Sequence, residues 1–274
     1  MIPAPFDYVR AASAAEAVAA LGEHGDDAKV LAGGMSLLPL MKLRLATPAV
    51  LVDVGRIGDL SYIRDGDDHV AIGALTRHRD LETNELLAHE CGVLAGVASE
   101  VGDNQVRHRG TLGGSVAHGD PASDLPAVLL ALDATLVVNG AAGTREIAAA
   151  DFFQGFLETA LAPDELLTEI RVPKAGPSGW SYQKFNRRAQ DWAIVGALAA
   201  RVNGDTRIAL VNMGPTPLRA AAVEDALAGG ASAADAAERA AEGTEPTSDL
   251  SATPDYREHL ARVLTRRALE GALA

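Results

Sequence analysis

The spacing of apolar positions divides the chain into stretches of helical and of strand-like period. Residues 13–21 predict a helix: Ala, Val and Leu fill one side, Ser13 stands where an N-cap belongs, and Glu16 follows three residues later. Lys29-Val30-Leu31-Ala32 then reads as a short buried strand, broken by Gly33-Gly34. A second helix is expected through Leu37, Leu38, Leu40, Met41 and Leu43. Ser36 is its expected cap, and Pro39 falls in its first turn, where a missing N–H costs little. Val50-Leu51-Val52-Asp53-Val54 is another apolar strand. Helix and strand alternate, which predicts an α/β opening with parallel pairing.

Beyond Gly58 the pattern changes. Residues 69–74 read as a strand, 80–101 have mostly helical spacing, and 125–132 form a further helix. Residues 134–138 and 165–172 supply more strands, with Asn139-Gly140 and Ala142-Gly143 marking a hairpin turn. Pro173-Lys174-Ala175-Gly176-Pro177-Ser178-Gly179 is the best boundary in the chain. After it come strands near 181–185, 193–202 and 206–213, then helical stretches over 220–241 and 256–273. The expected organisation is 1–176, in halves of about 1–57 and 58–176, followed by 177–274.

With 274 residues and 48% apolar content, the chain has ample length for a substantial core. No stretch reaches the roughly 18 uncharged apolar residues needed to cross a bilayer. Met1-Ile2-Pro3-Ala4-Pro5-Phe6-Asp7 lacks the basic and apolar regions of a signal peptide, so a cytoplasmic protein without a membrane span is expected. The net charge of −13 argues against nucleic acid as a partner. One cysteine, Cys91, excludes an internal disulfide and any iron–sulfur cluster ligated by this chain's cysteines alone.

The informative chemistry lies in two similar loops about 80 residues apart. The first is Leu31-Ala32-Gly33-Gly34-Met35-Ser36-Leu37; the second is Arg109-Gly110-Thr111-Leu112-Gly113-Gly114-Ser115. Paired glycines let backbone approach an anion without Cβ interference. Several N–H groups can then converge on phosphate oxygens, aided by the positive end of a following helix, with Ser36, Thr111 and Ser115 as hydroxyl donors. One such loop could be only a tight turn, whereas two fit a diphosphate held from both sides. Neither loop is a P-loop or the Gly-x-Gly-x-x-Gly turn of a nicotinamide-binding fold.

Ala32-Gly33-Gly34-Met35-Ser36 and Thr111-Leu112-Gly113-Gly114-Ser115 resemble the two FAD-diphosphate loops of molybdenum-hydroxylase flavoprotein subunits. These are the medium subunits of the carbon monoxide dehydrogenase and xanthine dehydrogenase group. The resemblance spans essentially the whole chain. It includes Ser36-Leu37-Leu38-Pro39-Leu40-Met41-Lys42, Gly119-Asp120-Pro121-Ala122-Ser123-Asp124-Leu125-Pro126, Glu165-Leu166-Leu167-Thr168-Glu169-Ile170-Arg171-Val172-Pro173 and Asp191-Trp192-Ala193. Length and arrangement look closest to the carbon monoxide dehydrogenase type. The fold it implies is α+β (mixed α/β), a two-part FAD-binding region followed by a small α+β C-terminal domain.

The resemblance also implies roles. Leu31 to Leu37 and Thr111 to Ser115 would hold the FAD diphosphate, and Asp124 would accept a hydrogen bond from the sugar–ribityl region. Leu167 would pack near the flavin, Lys184 would sit by its polar edge, and Trp192 beside the isoalloxazine. Taken singly these residues have plainer readings: Asp124 as the cap of the 125–132 helix, Leu167 and Trp192 as core, Lys184 as a solvated strand lysine. His108, His118 and Asp120 show no ligand spacing for a metal; Arg107 and Arg109 could neutralise a diphosphate or meet a partner. No catalytic residue stands out. The activity implied is that of an oxidoreductase subunit, a relay. A small 2Fe-2S subunit and a large molybdenum-cofactor subunit would belong to separate chains, in a dimer of heterotrimers. A self-contained FAD oxidase and a cofactor-free interaction module are the competing functions. Neither the substrate of the molybdenum subunit nor the final electron acceptor is written in this chain.

Overall fold

A computed structural model describes residues 2–176 and 178–274. Met1, in the opening heptapeptide, and Pro177, in the expected boundary, lie outside the described residues. The opening runs β1 (Asp7–Arg10), α1 (Ala14–His24), β2 (Ala28–Leu31), α2 (Leu37–Lys42) and β3 (Val50–Asp53). β3 is central and parallel to both neighbours, the pairing that the helix–strand alternation predicts. β1 escapes the sequence reading because Asp7-Tyr8-Val9-Arg10 carries little apolar signal; its partner β3 makes it a strand. Ser13 caps α1 through the Glu16 N–H at 3.2 Å, and the Glu16 carboxylate reaches back to the Ala12 N–H at 2.8 Å. The expected cap at Ser36 does not form. Its backbone is already helical, which points the hydroxyl away from the amides of the first turn, and it makes no cap hydrogen bond.

The middle of the chain begins with β4 (Ile63–Asp65), β5 (His69–Gly73), α3 (His78–Thr83), α4 (Glu85–Glu90), α5 (Gly92–Ser99), α6 (Asn104–Arg107), α7 (Leu112–His118) and α8 (Asp124–Ala131). It continues through β6 (Thr135–Gly140), β7 (Gly143–Ala148), α9 (Ala149–Phe152), β8 (Phe153–Gly155), β9 (Glu158–Thr159) and β10 (Leu166–Pro173). Five strands form an antiparallel sheet in the order β4-β5-β10-β6-β7. The single helical stretch expected over 80–101 is three helices. Asn84 leaves helical geometry to cap α4 through the Leu87 N–H at 3.0 Å, and Cys91, non-helical at φ −151° and ψ 63°, separates α4 from α5.

The last part holds β11 (Trp180–Phe185), β12 (Val195–Val202), β13 (Asp205–Val211), β14 (Leu218–Arg219), α10 (Ala221–Ala228), α11 (Ala233–Ala237) and α12 (Pro254–Leu273). The helical run expected over 220–241 breaks at Gly229-Gly230, where Gly230 takes φ +87°. The four-stranded sheet is buried on both faces. Val195, Ala197 and Ala199 of β12 pack toward α10–α12, whereas Leu198, Ala200 and Val202 join the core of the middle region. That double burial explains why β12 reads as an almost continuous apolar run. At about 1.5–3 kcal/mol for each large apolar side chain removed from water, it fuses the last region to the middle one.

Candidate functional site

The fold brings the two glycine loops into direct contact. A Cβ built on Gly33 would lie 2.3 Å from the Arg109 carbonyl oxygen and 2.9 Å from the Gly110 Cα. One built on Gly114 would come within 3.9 Å of the Ala32 side chain. Gly33 therefore marks where the first loop crosses the second, and only a glycine permits that approach. Gly34 follows at φ +76°, turning the chain toward α2. The N–H groups of Gly33, Gly34, Met35 and Ser36 donate no hydrogen bond within the chain among the described residues. Leu31, Ala32 and Leu37 flank them, and the whole loop is half-buried.

The second loop is built differently. The Leu112 N–H donates to Thr76 O at 3.0 Å, Gly113 N–H to Ala74 O at 2.8 Å and Ser115 N–H to Thr111 O at 3.0 Å. Thr111 is the N-cap of α7, its hydroxyl accepting from the Gly114 N–H at 3.1 Å. Gly113 packs face-on to Ala74, where a Cβ would meet the Ala74 Cβ at 2.5 Å. The second loop thus presents a rigid floor, the Gly114 backbone and the half-buried Ser115, rather than a set of open amides. α2 has six residues and α7 seven, so any helix-end field is a minor contribution beside the direct N–H groups.

A cleft joins both loops to the central sheet. Ala32, Gly113, Gly114 and Leu167 line it, together with Val30 and Val54. Leu167 is 4% exposed, at a bulge in the pairing of β10 with β6, so it is both core and cleft wall.

Asp124, Lys184 and Tyr182 form a buried cluster. Asp124 heads α8, but Ser123 occupies the N-cap position and the Asp124 carboxylate turns inward, so the capping expectation fails. Tyr182 donates its hydroxyl to Asp124 Oδ1 at 2.5 Å, and Lys184 Nζ donates to Oδ2 at 2.8 Å. The same ammonium reaches the Glu100 carbonyl at 2.9 Å. With a side chain 5% exposed, Lys184 is not the solvated lysine its alternating strand position suggests. Burial pushes the Asp124 carboxyl upward, opposed first by the Lys184 charge and then by the Lys184 and Tyr182 hydrogen bonds. Burial and the adjacent carboxylate both drive the Tyr182 phenol up, keeping it a donor.

Trp192 is 60% exposed, which removes the core reading of its indole. Arg107 is engaged with Glu82 at 3.0 Å. Three residues that the sequence reading passed over take part. Arg77 donates through Nη1 to the Arg109 carbonyl at the loop crossing, Tyr182 holds Asp124, and Asn212 binds the segment that follows Trp192. None lies in a motif; only chain crossings place them. Cys91 is fully buried and burial pushes its thiol up to about 12, as expected of an inert thiol.

Residues 4–175 match the family described as FAD binding domain in molybdopterin dehydrogenase, and residues 180–272 match the CO dehydrogenase flavoprotein C-terminal domain. The chain belongs to the FAD-binding flavoprotein family of molybdopterin dehydrogenases. It is 43% identical to the carbon monoxide dehydrogenase medium chain of Hydrogenophaga pseudoflava, covering 100% of this chain and 99% of that one. A solved carbon monoxide dehydrogenase from the same organism superposes with a TM-score of 0.96 over 100% of this chain and 99% of the matched chain, at 43% identity. Quinoline 2-oxidoreductase from Pseudomonas putida 86 gives 0.92 at 33% identity, again over 100% and 99%. As a member of this family the chain is an oxidoreductase subunit whose cofactor is FAD, on the mixed α/β fold its sequence predicts.

The residues of this flavoprotein fit that cofactor. Gly33 and Gly114 form a cradle that side chains would fill, and the free amides at Gly33, Gly34, Met35 and Ser36 are the donors a diphosphate requires. Among the described residues no cluster of metal-ligating side chains accompanies them, and no helix is long and apolar enough to cross a membrane.

Proposed function

We propose that this flavoprotein is the electron-transfer subunit of a molybdenum hydroxylase, of the carbon monoxide dehydrogenase medium-subunit kind. It would receive electrons from 2Fe-2S clusters of a small partner subunit and deliver them to an external acceptor. The observation that carries the reading is the crossing of the two glycine loops, with four unengaged amides on one side. In this reading the amides of Gly33, Gly34, Met35 and Ser36 hold the diphosphate while Thr111, Leu112, Gly113, Gly114 and Ser115 supply its floor. Asp124, oriented by Tyr182 and Lys184, accepts from the sugar–ribityl chain. Leu167 packs near the ring system, excluding water, and the exposed Trp192 covers one face of it. Bound FAD supplies the conversion between paired and single electrons.

With one sealed cysteine the chain ligates no cluster, so clusters and molybdenum cofactor are assigned to the small and large partner subunits of a dimer of heterotrimers. The complex is taken to work in the cytoplasm, and the division at 1–57, 58–176 and 177–274 belongs to the same reading. Relatives named for carbon monoxide and for quinoline share this fold, which supports locating substrate choice on the large subunit. The purified chain should be yellow, reducible by an artificial donor, and inert toward substrate until both partners are added. Full turnover by the chain alone, free of iron and molybdenum, would establish the oxidase instead.

A further inference from the structure

Asn212, immediately after β13, is the residue through which the last region grips both sides of the candidate flavin site. Its backbone lies in the left-handed region at φ +62°, where glycine is the least strained choice. An asparagine there invites a side-chain explanation, and the geometry supplies one. The Asn212 Nδ2 donates to the Ala193 carbonyl at 2.8 Å and to the Ile194 carbonyl at 3.3 Å. Its backbone N–H donates to the Pro121 carbonyl at 2.8 Å. One residue therefore ties the segment just after Trp192 to the turn that leads, three residues on, into Asp124.

The neighbours reinforce the same point. Ala193 is 1% exposed whereas Trp192 is 60% exposed, so the chain emerges from the core within one residue, at the carbonyl Asn212 holds. Arg257 of α12, 1% exposed, also donates to the Ile194 carbonyl, and to Asp249 at 2.7 Å. The Ile194 N–H pairs with the Phe185 carbonyl at 2.8 Å. Everything up to Ala193 is pinned, and Trp192 is the first residue beyond the pin. We infer that Asn212 is a positioning residue: its amide sets where the Trp192 indole stands relative to Asp124, and hence relative to the ring system bound between them. The inference rests on the reading of Trp192 as the flavin's cover.

Two variants separate the side chain from the backbone. Asn212→Gly keeps the left-handed turn and the N–H to Pro121 but deletes the amide. Asn212→Asp keeps the shape and replaces the donor with an acceptor facing two carbonyls. The readout is time-resolved tryptophan fluorescence of the FAD-loaded chain, with Trp192→Phe identifying the Trp192 component. A flavin in contact quenches that emission, so the unquenched amplitude measures the misplaced fraction. Loss of the paired hydrogen bonds should raise that amplitude roughly tenfold in both variants, while the FAD dissociation constant stays within about threefold. Unchanged amplitude in both variants, with only a lower unfolding midpoint, overturns the positioning role and leaves the reading of Trp192 intact. No quenching of Trp192 in the unaltered chain, although FAD is bound, overturns both.

Discussion

Ala32-Gly33-Gly34-Met35-Ser36 and Thr111-Leu112-Gly113-Gly114-Ser115 share a Gly-Gly pair and a closing serine, yet the fold uses them in opposite ways. In the first, four consecutive amides have no acceptor among the described residues. In the second, the amides of Leu112, Gly113, Gly114 and Ser115 are engaged by Thr76, Ala74 and Thr111, so its glycines serve packing. The lesson is that a glycine pair announces close backbone approach without saying what approaches. At Gly113 it is Ala74 and at Gly33 it is the other loop.

The comparison breaks most visibly at the crossing. Gly33→Val sets a side chain against the Arg109 carbonyl and should cost about 3 kcal/mol of loop packing. FAD affinity, measured by titration of the apo chain, should fall at least about a hundredfold. If the folded variant binds normally, the loops do not act as a pair.

Acid probes the second loop next. His78 lies beneath it, its backbone N–H donating to the Gly110 carbonyl at 3.1 Å and its ring Nδ1 unpartnered among the described residues. Burial, and then the charges of Arg107 and Arg77, lower its pKa from 6.5 to about 4. The unfolded chain thus binds a proton that the folded chain refuses. The associated stability is present above pH 6.5 and is lost as the pH falls toward 4. Between pH 7 and 5 the loss should be about 2 kcal/mol, and His78→Leu should flatten that segment of the denaturation profile. An identical pH dependence in the variant would remove His78 as its source.

Gly114→Val should act more mildly. A Cβ there meets the Thr111 hydroxyl at 2.6 Å, disturbing the cap of α7 and the floor beside Ala32. We expect about a tenfold loss of FAD affinity, with roughly 1 kcal/mol of stability. A folded variant with full affinity would take the second loop out of the diphosphate site. The smallest effect belongs to Ser36→Ala. Because Ser36 makes no cap bond, stability should hold within about 0.5 kcal/mol. Affinity should still drop about threefold if the free hydroxyl faces phosphate, which the same titration measures.

Much of the fold was legible because its signals are local. The cap at Ser13, the strands β2 and β3, the Asn139 to Gly143 hairpin and the apolar β12 each declare themselves within a few residues, although β2 is buried only at Ala28. Breaks inside long helical stretches were not, since Cys91 looks apolar and gives no hint of its non-helical backbone. β1 needed its partner to become a strand. In the site, the glycine loops were readable from composition, but the engaged state of the second loop was not, because its acceptors lie at residues 74–76.

By itself the sequence determined that two close-approach loops exist, that one cysteine cannot ligate clusters, and that Trp192 and Asp124 stand in recognisable motifs. Local conformation and side-chain chemistry are properties of a few adjacent residues, so a linear reading reaches them. Only the tertiary structure decided which amides remain free, that Lys184 is buried against Asp124 rather than solvated, and that Asn212 holds the chain beside Trp192. Those outcomes depend on which distant backbone carbonyl or carboxylate arrives first at each donor. That is set by chain crossings about 20 to 90 residues apart, which no local pattern encodes.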